Sequence, residues 1–280
     1  HSLMKAQSKE SVLYSQASAQ ALSLSERTEP WRLETDQKKL ELILQYANGA
    51  KSLLDIGCGW GQILRGLVGK IPVLVGVDES RDRLSYLKEN PWGIRVTRSS
   101  IFDLNLGEVF EIVLTSHLMH ELRMFSPRQE FIRALEVLRR HLAPDGHYFM
   151  IDHEDPGQGK VTVRLKKREM RILQQFGQKF RCRPIQLEVE GDCVTLSKRD
   201  CHDFVTKIWA MGTGAQDLEM QETHTVMRKD ELLEDLEASG LHVSQWIPFN
   251  PIEGLMKYYS IEFIDGRSWE RQFMLMARKI

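Results

Sequence analysis

The sequence predicts an α/β fold, with a doubly wound, mostly parallel sheet of seven strands and helices on both faces. Strand-length apolar runs alternate with helical patterns from Lys51 to Asp152, the order expected of a parallel sheet. The runs are apolar throughout, as in strands buried on both faces. Gly57, Gly59 and Gly61 lie directly beyond the first run. Ligands of such sheets bind at the carboxyl ends of the strands, so these glycines mark the expected site.

The elements of the core follow one another at short intervals. A helix is predicted over Thr35–Asn48, where Gly49 ends it. Strands are predicted at Lys51–Ile56, Val73–Val77, Ile94–Arg98, Phe110–Leu114 and His147–Asp152. Helices are predicted at Gln62–Val68, after the capping residue Ser80, and from Ser126, where Ser-Pro-Arg-Gln is a start signal. Pro144-Asp145-Gly146 predicts a turn before the fifth strand.

The regular alternation ends after Asp155. The chain then predicts a basic helix near 160–180, a hairpin around Gly191, a helix near 201–211, a helix at Asp230–Ser239, strands at His242–Pro248 and Gln272–Arg278, and a loop over Asn250–Gly266. We therefore expect an N-terminal helical extension or lid over 1–35 and a core over 36–155 and 230–280. Residues 156–229 form a long α+β insertion after strand five, which we interpret as a lid or binding subdomain.

Charge and hydropathy argue against several classes of protein. The net charge is −1, so nothing global attracts nucleic acid, which is not expected as a partner. No apolar run approaches the ~18 residues of a membrane span, so no membrane association is expected. No signal peptide is recognisable, and His1-Ser2-Leu3 before Met4 resemble the remnant of a tag.

The cysteines point to a reducing compartment. Cys58, Cys182, Cys193 and Cys201 lie far apart and form no C-x-x-C pair, so we expect free thiols and a cytoplasmic location. The last three cysteines and His202 match no common zinc spacing, so no metal is expected.

The glycine cluster can be compared with known phosphate- and nucleotide-binding patterns. A P-loop requires Gly-Lys-Ser/Thr, which is absent. A dinucleotide fingerprint requires a third glycine where Gln62 stands. The remaining pattern is D-x-G-x-G-x-G, from Asp55 onward, with Asp78 at the end of the second strand. An acid in that place can accept both hydroxyls of a ribose, in NAD as in other nucleosides, so the residues alone leave the ligand open.

Five segments together resemble a known family. They are LLDIGCGWG, VLVGVDES, RSSIFDL, FEIVLTSHLMHEL and LRRHLAPDGHYFMID, in that order. With them the chain resembles class I S-adenosylmethionine-dependent methyltransferases of the small-molecule type, over about residues 36–155 and 230–280. The resemblance implies a Rossmann-like core, S-adenosylmethionine as cofactor and S-adenosylhomocysteine as product.

The resemblance also implies roles for individual residues. The implied cofactor contacts are Asp55, Gly57, Cys58, Gly59, Asp78, Ser100, Ile101, Thr115 and Ser116. Asp55 would lie near the amino-acid end of the cofactor, Asp78 would hold the ribose hydroxyls and Ile101 would flank the adenine. The family often has Asp where Ser100 stands, so either Ser100 or Asp103 is expected to meet the adenine amino group.

Methyl transfer is an in-line displacement, to which the protein contributes mainly alignment. A hydroxyl or ammonium acceptor also needs a base to remove its proton. The candidates at the ends of strands four and five are His117, His120, His153 and Glu154. Histidine, with an ordinary pKa near 6.5, suits this role at neutral pH. The alternative is that these residues only support the loops. A divalent metal on Asp152–Asp155 is not expected, because other signatures of such enzymes are absent.

The insertion is the best pointer to the acceptor. It offers the apolar residues Phe176, Phe180, Phe204, Trp209 and Met211. We expect a capped pocket and a small-molecule acceptor methylated on oxygen or nitrogen, although these residues could instead form the core of the insertion. Two alternatives stay open. One is an RNA or protein methyltransferase that docks through the basic segment Lys160–Arg183; the other is a cofactor-binding partner protein that does not methylate. A homodimer is compatible with the sequence.

Overall fold

The computed structural model describes residues 30–89 and 91–280. The predicted extension over 1–35 therefore lies outside the described residues, apart from residues 30–35. Contacts divide the chain into two compact units. The first comprises the described part of His1–Asp152 together with Asp230–Ile247 and Met274–Ile280, and the second comprises His153–Lys229 and Pro248–Phe273.

The described residues contain eleven strands. They are β1 (Ser52–Ile56), β2 (Val73–Asp78), β3 (Arg95–Arg98), β4 (Phe110–Ser116), β5 (Leu142–His153), β6 (Lys160–Arg164), β7 (Glu188–Glu190), β8 (Cys193–Ser197), β9 (Leu241–Pro251), β10 (Glu262–Asp265) and β11 (Glu270–Lys279).

The same part of the chain contains ten α-helices. They are α1 (Pro30–Tyr46), α2 (Gln62–Leu67), α3 (Arg81–Lys88), α4 (Met119–Phe125), α5 (Arg128–Arg140), α6 (Lys167–Lys179), α7 (Lys198–Lys207), α8 (Gln216–Glu219), α9 (Lys229–Ala238) and α10 (Ile252–Tyr258). Two 3₁₀ turns lie at Ile101–Asp103 and Ile208–Ala210. No helix among these is long and apolar enough to cross a bilayer.

The large sheet has seven strands in the order β3-β2-β1-β4-β5-β11-β9. The first five strands of the chain pair in parallel, with β1 between β2 and β4. The predicted doubly wound, seven-stranded sheet is therefore confirmed. Because β1 is central, the loop that follows it opens where the chain leaves on opposite sides of the sheet, which is where ligands bind in such folds.

Burial follows the predicted pattern. Leu53, Leu54 and Ile56 of β1 are buried, as a central strand covered on both faces requires. On α5, one face is also buried, namely Phe131, Ala134, Leu135 and Leu138. This helix begins one residue later than predicted, with Pro127 rather than Ser126 in the cap position. Ser80 caps α3 as predicted, with its Oγ accepting from the Arg83 N–H.

Strand β5 begins earlier than the sequence suggested. Phe110 pairs with Leu142 and Ile112 with His147, so Ala143–Gly146 bulge out opposite Glu111. The predicted Pro-Asp-Gly turn thus lies within β5 as a bulge. Gly146 is required there, because a Cβ would lie 2.9 Å from the Phe110 carbonyl oxygen.

The second unit contains a four-stranded sheet in the order β10-β6-β8-β7, with antiparallel neighbours. The basic helix predicted near 160–180 was wrong in its first part, which is β6. The sequence Lys-Val-Thr-Val-Arg alternates, and Val161 and Val163 are buried at the period of two that a strand requires.

The loop predicted over Asn250–Gly266 was also wrong, since it contains α10 and β10. Strand β10 pairs with β6, which explains why Pro248–Phe273 groups with the second unit. The predicted division had assigned all of 230–280 to the core.

Candidate active site

The glycine loop after β1 consists of residues in the left-handed region of backbone space. Gly57, Gly59 and Gly61 have φ values of 75°, 53° and 72°, which residues with a Cβ rarely adopt. The N–H groups of Gly57 and Cys58 both donate to the Val77 carbonyl at the end of β2. The loop is therefore held against the two central strands and ends where α2 begins.

The three glycines differ in what surrounds them. A Cβ on Gly57 would lie 3.0 Å from the Leu118 side chain, and one on Gly61 would lie 2.4 Å from Leu87. A Cβ on Gly59 would meet nothing within 4 Å. Close packing explains Gly57 and Gly61. Gly59 faces open space, so a ligand can approach the backbone there.

Asp78 connects this loop to β2. One of its carboxylate oxygens accepts from the Gly59 N–H at 2.9 Å and the other accepts from the Ser80 N–H at 2.8 Å. The Arg83 guanidinium lies 3.6 Å away. Each carboxylate oxygen can accept more than one hydrogen bond, so Asp78 can hold the loop and still receive a hydroxyl group.

Asp55 lies at the centre of the site and is only 2% exposed. Its Oδ1 is buried and has no hydrogen-bond partner among the described residues. Burial, followed by the nearby charge of Asp78, raises the pKa of Asp55 from 3.8 to about 7. An unpaired buried acceptor beside the glycine loop suits a cationic N–H group of a ligand.

Cys58 is a protonated thiol rather than a nucleophile. Burial and the charges of Asp55 and Asp78 raise the pKa of its thiol well above the usual range. Its sulfur packs beside Gly76 of β2, where a Cβ would lie 2.9 Å from it.

The predicted adenine-binding residues lie at the 3₁₀ turn after β3. Ser100 caps this turn, with its Oγ accepting from the Phe102 N–H at 3.3 Å. Ile101 is buried and Asp103 is exposed. The role of either polar residue toward an adenine remains a prediction.

At the end of β4, the neighbouring residues Thr115 and Ser116 differ in exposure. The hydroxyl of Thr115 is fully buried and lies 2.7 Å from the Tyr148 hydroxyl. Ser116 is partly exposed. A direct contact with a ligand is therefore easier to assign to Ser116 than to Thr115.

Two predicted bases follow β4. His117 has a φ of 54°, an uncommon value for a residue with a Cβ, and its N–H donates to the Ile151 carbonyl. The His117 and His120 ring centroids are 6.3 Å apart. The strained backbone at His117 turns the chain from β4 into α4.

His120 is held by Asp152 at the end of β5. One Asp152 oxygen lies 2.7 Å from His120 Nδ1, and the other accepts from the His120 N–H at 3.0 Å. Both side chains are buried. The sequence analysis did not predict this pair, because it considered Asp152 only as one of the acids of Asp152–Asp155. Its signal was an acid near the end of β5 and a histidine four residues beyond the end of the adjacent parallel strand β4.

Residues 53–146 match the protein-family model described as "Methyltransferase domain". This stretch of the chain is therefore a methyltransferase domain. No curated protein sequence matches it.

The fold of the chain is similar to several solved structures. The DhpI-SAM-HEP complex has 14% identity and a TM-score of 0.54, covering 97% of this chain and 96% of DhpI. The CcbJ methyltransferase of Streptomyces caelestis has 15% identity and a TM-score of 0.51, covering 88% and 95%. An S-adenosylmethionine-dependent methyltransferase of Clostridium acetobutylicum has 11% identity and a TM-score of 0.50, covering 87% and 90%. These likenesses show that the chain has the same fold as these methyltransferases.

The other two predicted bases belong to the second unit of the chain. The His153 ring stacks on His224 with centroids 3.7 Å apart, and its edge meets His202 at 5.6 Å. The Glu154 N–H donates to the Arg271 carbonyl. His153 is thus part of a cluster of three histidines, hereafter the histidine cluster (His153, His202 and His224).

A buried lysine, which the sequence did not reveal, adjoins this cluster. Lys207 is 0% exposed, and its Nζ lies 2.8 Å from a Glu219 oxygen and 3.1 Å from His224 Nε2. Glu222 completes its partners at 3.3 Å. The carboxylates raise the pKa of Lys207 against the opposing effect of burial, so the lysine remains charged.

The apolar residues expected to form a pocket pack largely with one another. The rings of Phe176 and Phe180 have centroids 4.9 Å apart, and those of Phe176 and Phe204 are 5.6 Å apart. These three residues are buried. They form the core of the second unit, which was the alternative interpretation of the sequence.

Proposed function

We propose that this methyltransferase transfers a methyl group from S-adenosylmethionine to an oxygen or nitrogen of a small-molecule acceptor, with His120 as general base. The observation that carries the proposal is the buried pair of His120, in the first turn of α4, and Asp152, near the end of β5. A carboxylate only accepts hydrogen bonds, so His120 Nδ1 carries the hydrogen and Nε2 keeps its lone pair. Asp152 thereby orients the ring and stabilises its protonated form, as the acid of a triad does.

The residues of the glycine loop fit the proposed cofactor. Asp55 Oδ1 supplies an unpaired buried acceptor for the ammonium group of an amino acid. Gly59 leaves its side of the loop open. Asp78 supplies a carboxylate for ribose hydroxyls. When bound, S-adenosylmethionine supplies an electrophilic methyl group that the acceptor takes by in-line displacement.

The chain itself provides position and proton removal. Its loop is held rigidly by main-chain bonds to β2, which suits a reaction that depends on alignment. His120, held by two contacts from one carboxylate, can accept the proton of a hydroxyl or ammonium acceptor. We retain His117, His153 and Glu154 as secondary candidates for this role.

The acceptor of a protein with a similar fold supports a small-molecule acceptor. This protein is a glycopeptide N-methyltransferase, MtfA, solved with S-adenosylmethionine at 12% identity and a TM-score of 0.50, covering 88% of this chain and 94% of MtfA. We assign acceptor binding to the second unit, which contains the predicted insertion over 156–229.

A docking face for RNA or protein is the weaker alternative. Of the nine basic residues of Lys160–Arg183, four are paired with acids of the same unit, namely Lys160, Arg164, Arg168 and Arg183. The exposed cations of α6 remain, and an affinity for RNA that falls steeply with salt would favour this alternative. The cytoplasmic location and the homodimer also stay predictions.

The test is calorimetric titration with S-adenosylmethionine and, separately, S-adenosylhomocysteine, followed by transfer of labelled methyl groups to a panel of hydroxyl and amine acceptors. We expect micromolar binding of both compounds and labelling of a small acceptor. Binding without transfer to any acceptor would favour a non-methylating partner protein. Failure to bind S-adenosylhomocysteine would contradict the cofactor assignment.

A further inference from the structure

The glycine loop contains a tryptophan, Trp60, that the proposed mechanism does not use. It lies between Gly59 and Gly61, which both have positive φ. Its side chain is only 7% exposed. Glycine has little backbone preference of its own, so contacts from outside the loop must select the conformation of this segment. A buried indole between two glycines can provide such a contact.

The two glycines beside Trp60 are held by the chain that runs from the end of β2 into α3. The Asp78 carboxylate accepts from the Gly59 N–H at 2.9 Å. Leu87 of α3 packs so closely on Gly61 that a Cβ there would lie 2.4 Å from the leucine side chain. Contacts from one continuous segment therefore hold the loop on both sides of its tryptophan.

Tyr86 of α3 makes the corresponding contact at the tryptophan itself. The Tyr86 and Trp60 rings meet edge to face, with centroids 5.6 Å apart and an interplanar angle of 82°. This is one of the arrangements that aromatic pairs prefer. Tyr86 directly precedes Leu87, so two consecutive residues of α3 contact Trp60 and Gly61, two consecutive residues of the loop.

The Tyr86 ring is itself held by further side chains. The Arg65 guanidinium of α2 lies 5.7 Å from the Tyr86 ring centroid and 5.2 Å from that of Trp92. The Tyr86 and Trp92 centroids are 5.7 Å apart. The Arg65 N–H also donates to the Gly61 carbonyl at 2.8 Å. The tyrosine is thus fixed between α2 and α3 and can in turn fix Trp60.

We propose that Tyr86 is a positioning residue for cofactor binding, which through Trp60 holds the glycine loop in the conformation that receives the adenosyl cofactor. The inference rests on the proposed function and deepens it, because it assigns part of the cofactor affinity to a contact behind the loop. A loop that is ordered before binding has less conformational freedom to lose when the ligand arrives, and this raises the affinity.

Substitutions separate the Tyr86 ring from its hydroxyl. Tyr86→Ala removes the ring, whereas Tyr86→Phe keeps it and removes only the hydroxyl that lies 3.5 Å from Arg65 Nη1. Leu232→Ala is the matched control for lost stability. Leu232 is buried in the same unit on α9, a helix whose Asp235 pairs with arginines of α4 and α5. The affinity of each full chain for S-adenosylhomocysteine is measured by calorimetry, and its stability by urea unfolding.

We expect Tyr86→Ala to bind S-adenosylhomocysteine about tenfold more weakly, the size of the contribution of one aromatic pair. Tyr86→Phe should bind within about twofold of the natural chain. Leu232→Ala should lose at least as much stability as Tyr86→Ala and still bind normally. Equal losses of affinity in Tyr86→Ala and Leu232→Ala, or in Tyr86→Ala and Tyr86→Phe, would overturn the proposal.

A double-mutant cycle tests whether Tyr86 acts through Trp60. Trp60→Leu should bind about tenfold more weakly, and adding Tyr86→Ala to it should weaken binding by less than about twofold more. Losses that multiply would overturn the proposal. Should Tyr86→Ala not fold, Tyr86→Leu takes its place, because leucine keeps apolar volume and lacks the ring.

The natural chain distinguishes this inference from the proposed function. Normal binding of S-adenosylhomocysteine by the natural chain, with unchanged affinity in Tyr86→Ala, would contradict this inference alone. Failure of the natural chain to bind S-adenosylhomocysteine would contradict the proposed function.

Discussion

The glycine loop of the first unit and the histidine cluster of the second unit are built by different means. In the loop, main-chain geometry dominates, with three glycines of positive φ and N–H groups that donate to Val77 and Asp78. In the cluster, the interactions are between side chains, and the residues come from separate parts of the sequence. A site built from the backbone uses consecutive residues and can be recognised in the sequence. A site built from packed side chains joins residues that are distant in the sequence and come together only on folding.

The two regions also handle charge differently. The first unit leaves the buried Asp55 Oδ1 without a partner, and the second neutralises the buried Lys207 with two carboxylates and a histidine. We infer that the first region is prepared for a cationic ligand group and that the second compensates its buried lysine from its own side chains. The predictions below test whether substitutions in the two regions have different effects on cofactor binding, catalysis and stability.

The largest expected effect concerns His120. We expect His120→Ala, and similarly Asp152→Asn, to lower kcat by about 10²–10⁴-fold, because general base catalysis contributes that much. The affinity for S-adenosylhomocysteine should stay within twofold, as measured by calorimetry. His242→Ala is the matched control, because His242 is an exposed histidine of the same unit that bonds Glu237, and it should change kcat by less than twofold. Equal losses in the two histidine variants would remove the distinction.

The second effect is on stability and lies in the other unit. Lys207→Met leaves Glu219 and Glu222 without their cation in a buried place, and we expect a loss of about 3–5 kcal/mol in the free energy of unfolding. Lys179→Met, on the exposed side of α6, should change it by less than about 0.5 kcal/mol. Chemical denaturation measures both. A loss below about 1 kcal/mol for Lys207→Met would mean that the network contributes little.

Asp78→Ala should weaken S-adenosylhomocysteine binding about 100-fold, since one carboxylate both receives the ligand and holds the Gly59 N–H. Asp82→Ala removes the same charge from an exposed position on α3 and should bind normally. Thermal unfolding confirms that both variants are folded. Normal binding by Asp78→Ala would contradict the cofactor site.

The smallest expected effect is that of alanine at Gly59, for which Gly69 provides the matched control. Both have positive φ and open space where a Cβ would be, so alanine should cost each about 1 kcal/mol of stability. Only Gly59→Ala should also weaken S-adenosylhomocysteine binding, by about tenfold, because its Cβ would occupy the open side of the loop. Similar affinities in the two variants would mean that no ligand approaches there.

The contrast explains what the sequence could and could not predict. The parallel core and the glycine loop were predictable, because apolar runs and glycine spacing are local signals. β6 was mistaken for a helix because its basic ends joined the basic pattern of α6, which hid the alternation of Val161 and Val163. The pairing of His120 with Asp152 depends on the register of β4 and β5, and the bond between His202 and Trp269 joins residues far apart in the chain. Neither leaves a local pattern.

The raised pKa of the buried Asp55 couples the stability of the first unit to pH. The folded protein keeps the Asp55 proton up to about pH 7, whereas the unfolded chain releases it near 3.8. Between those values the folded protein holds a proton that the unfolded chain has released, so the free energy of unfolding falls progressively as pH rises, and the loss is complete above about pH 7. An ammonium group beside Asp55 reverses this preference, so uptake of the ligand below pH 7 should expel a proton into the solvent. The heat of binding should then change with the ionisation enthalpy of the buffer, and Asp55→Asn should abolish that change.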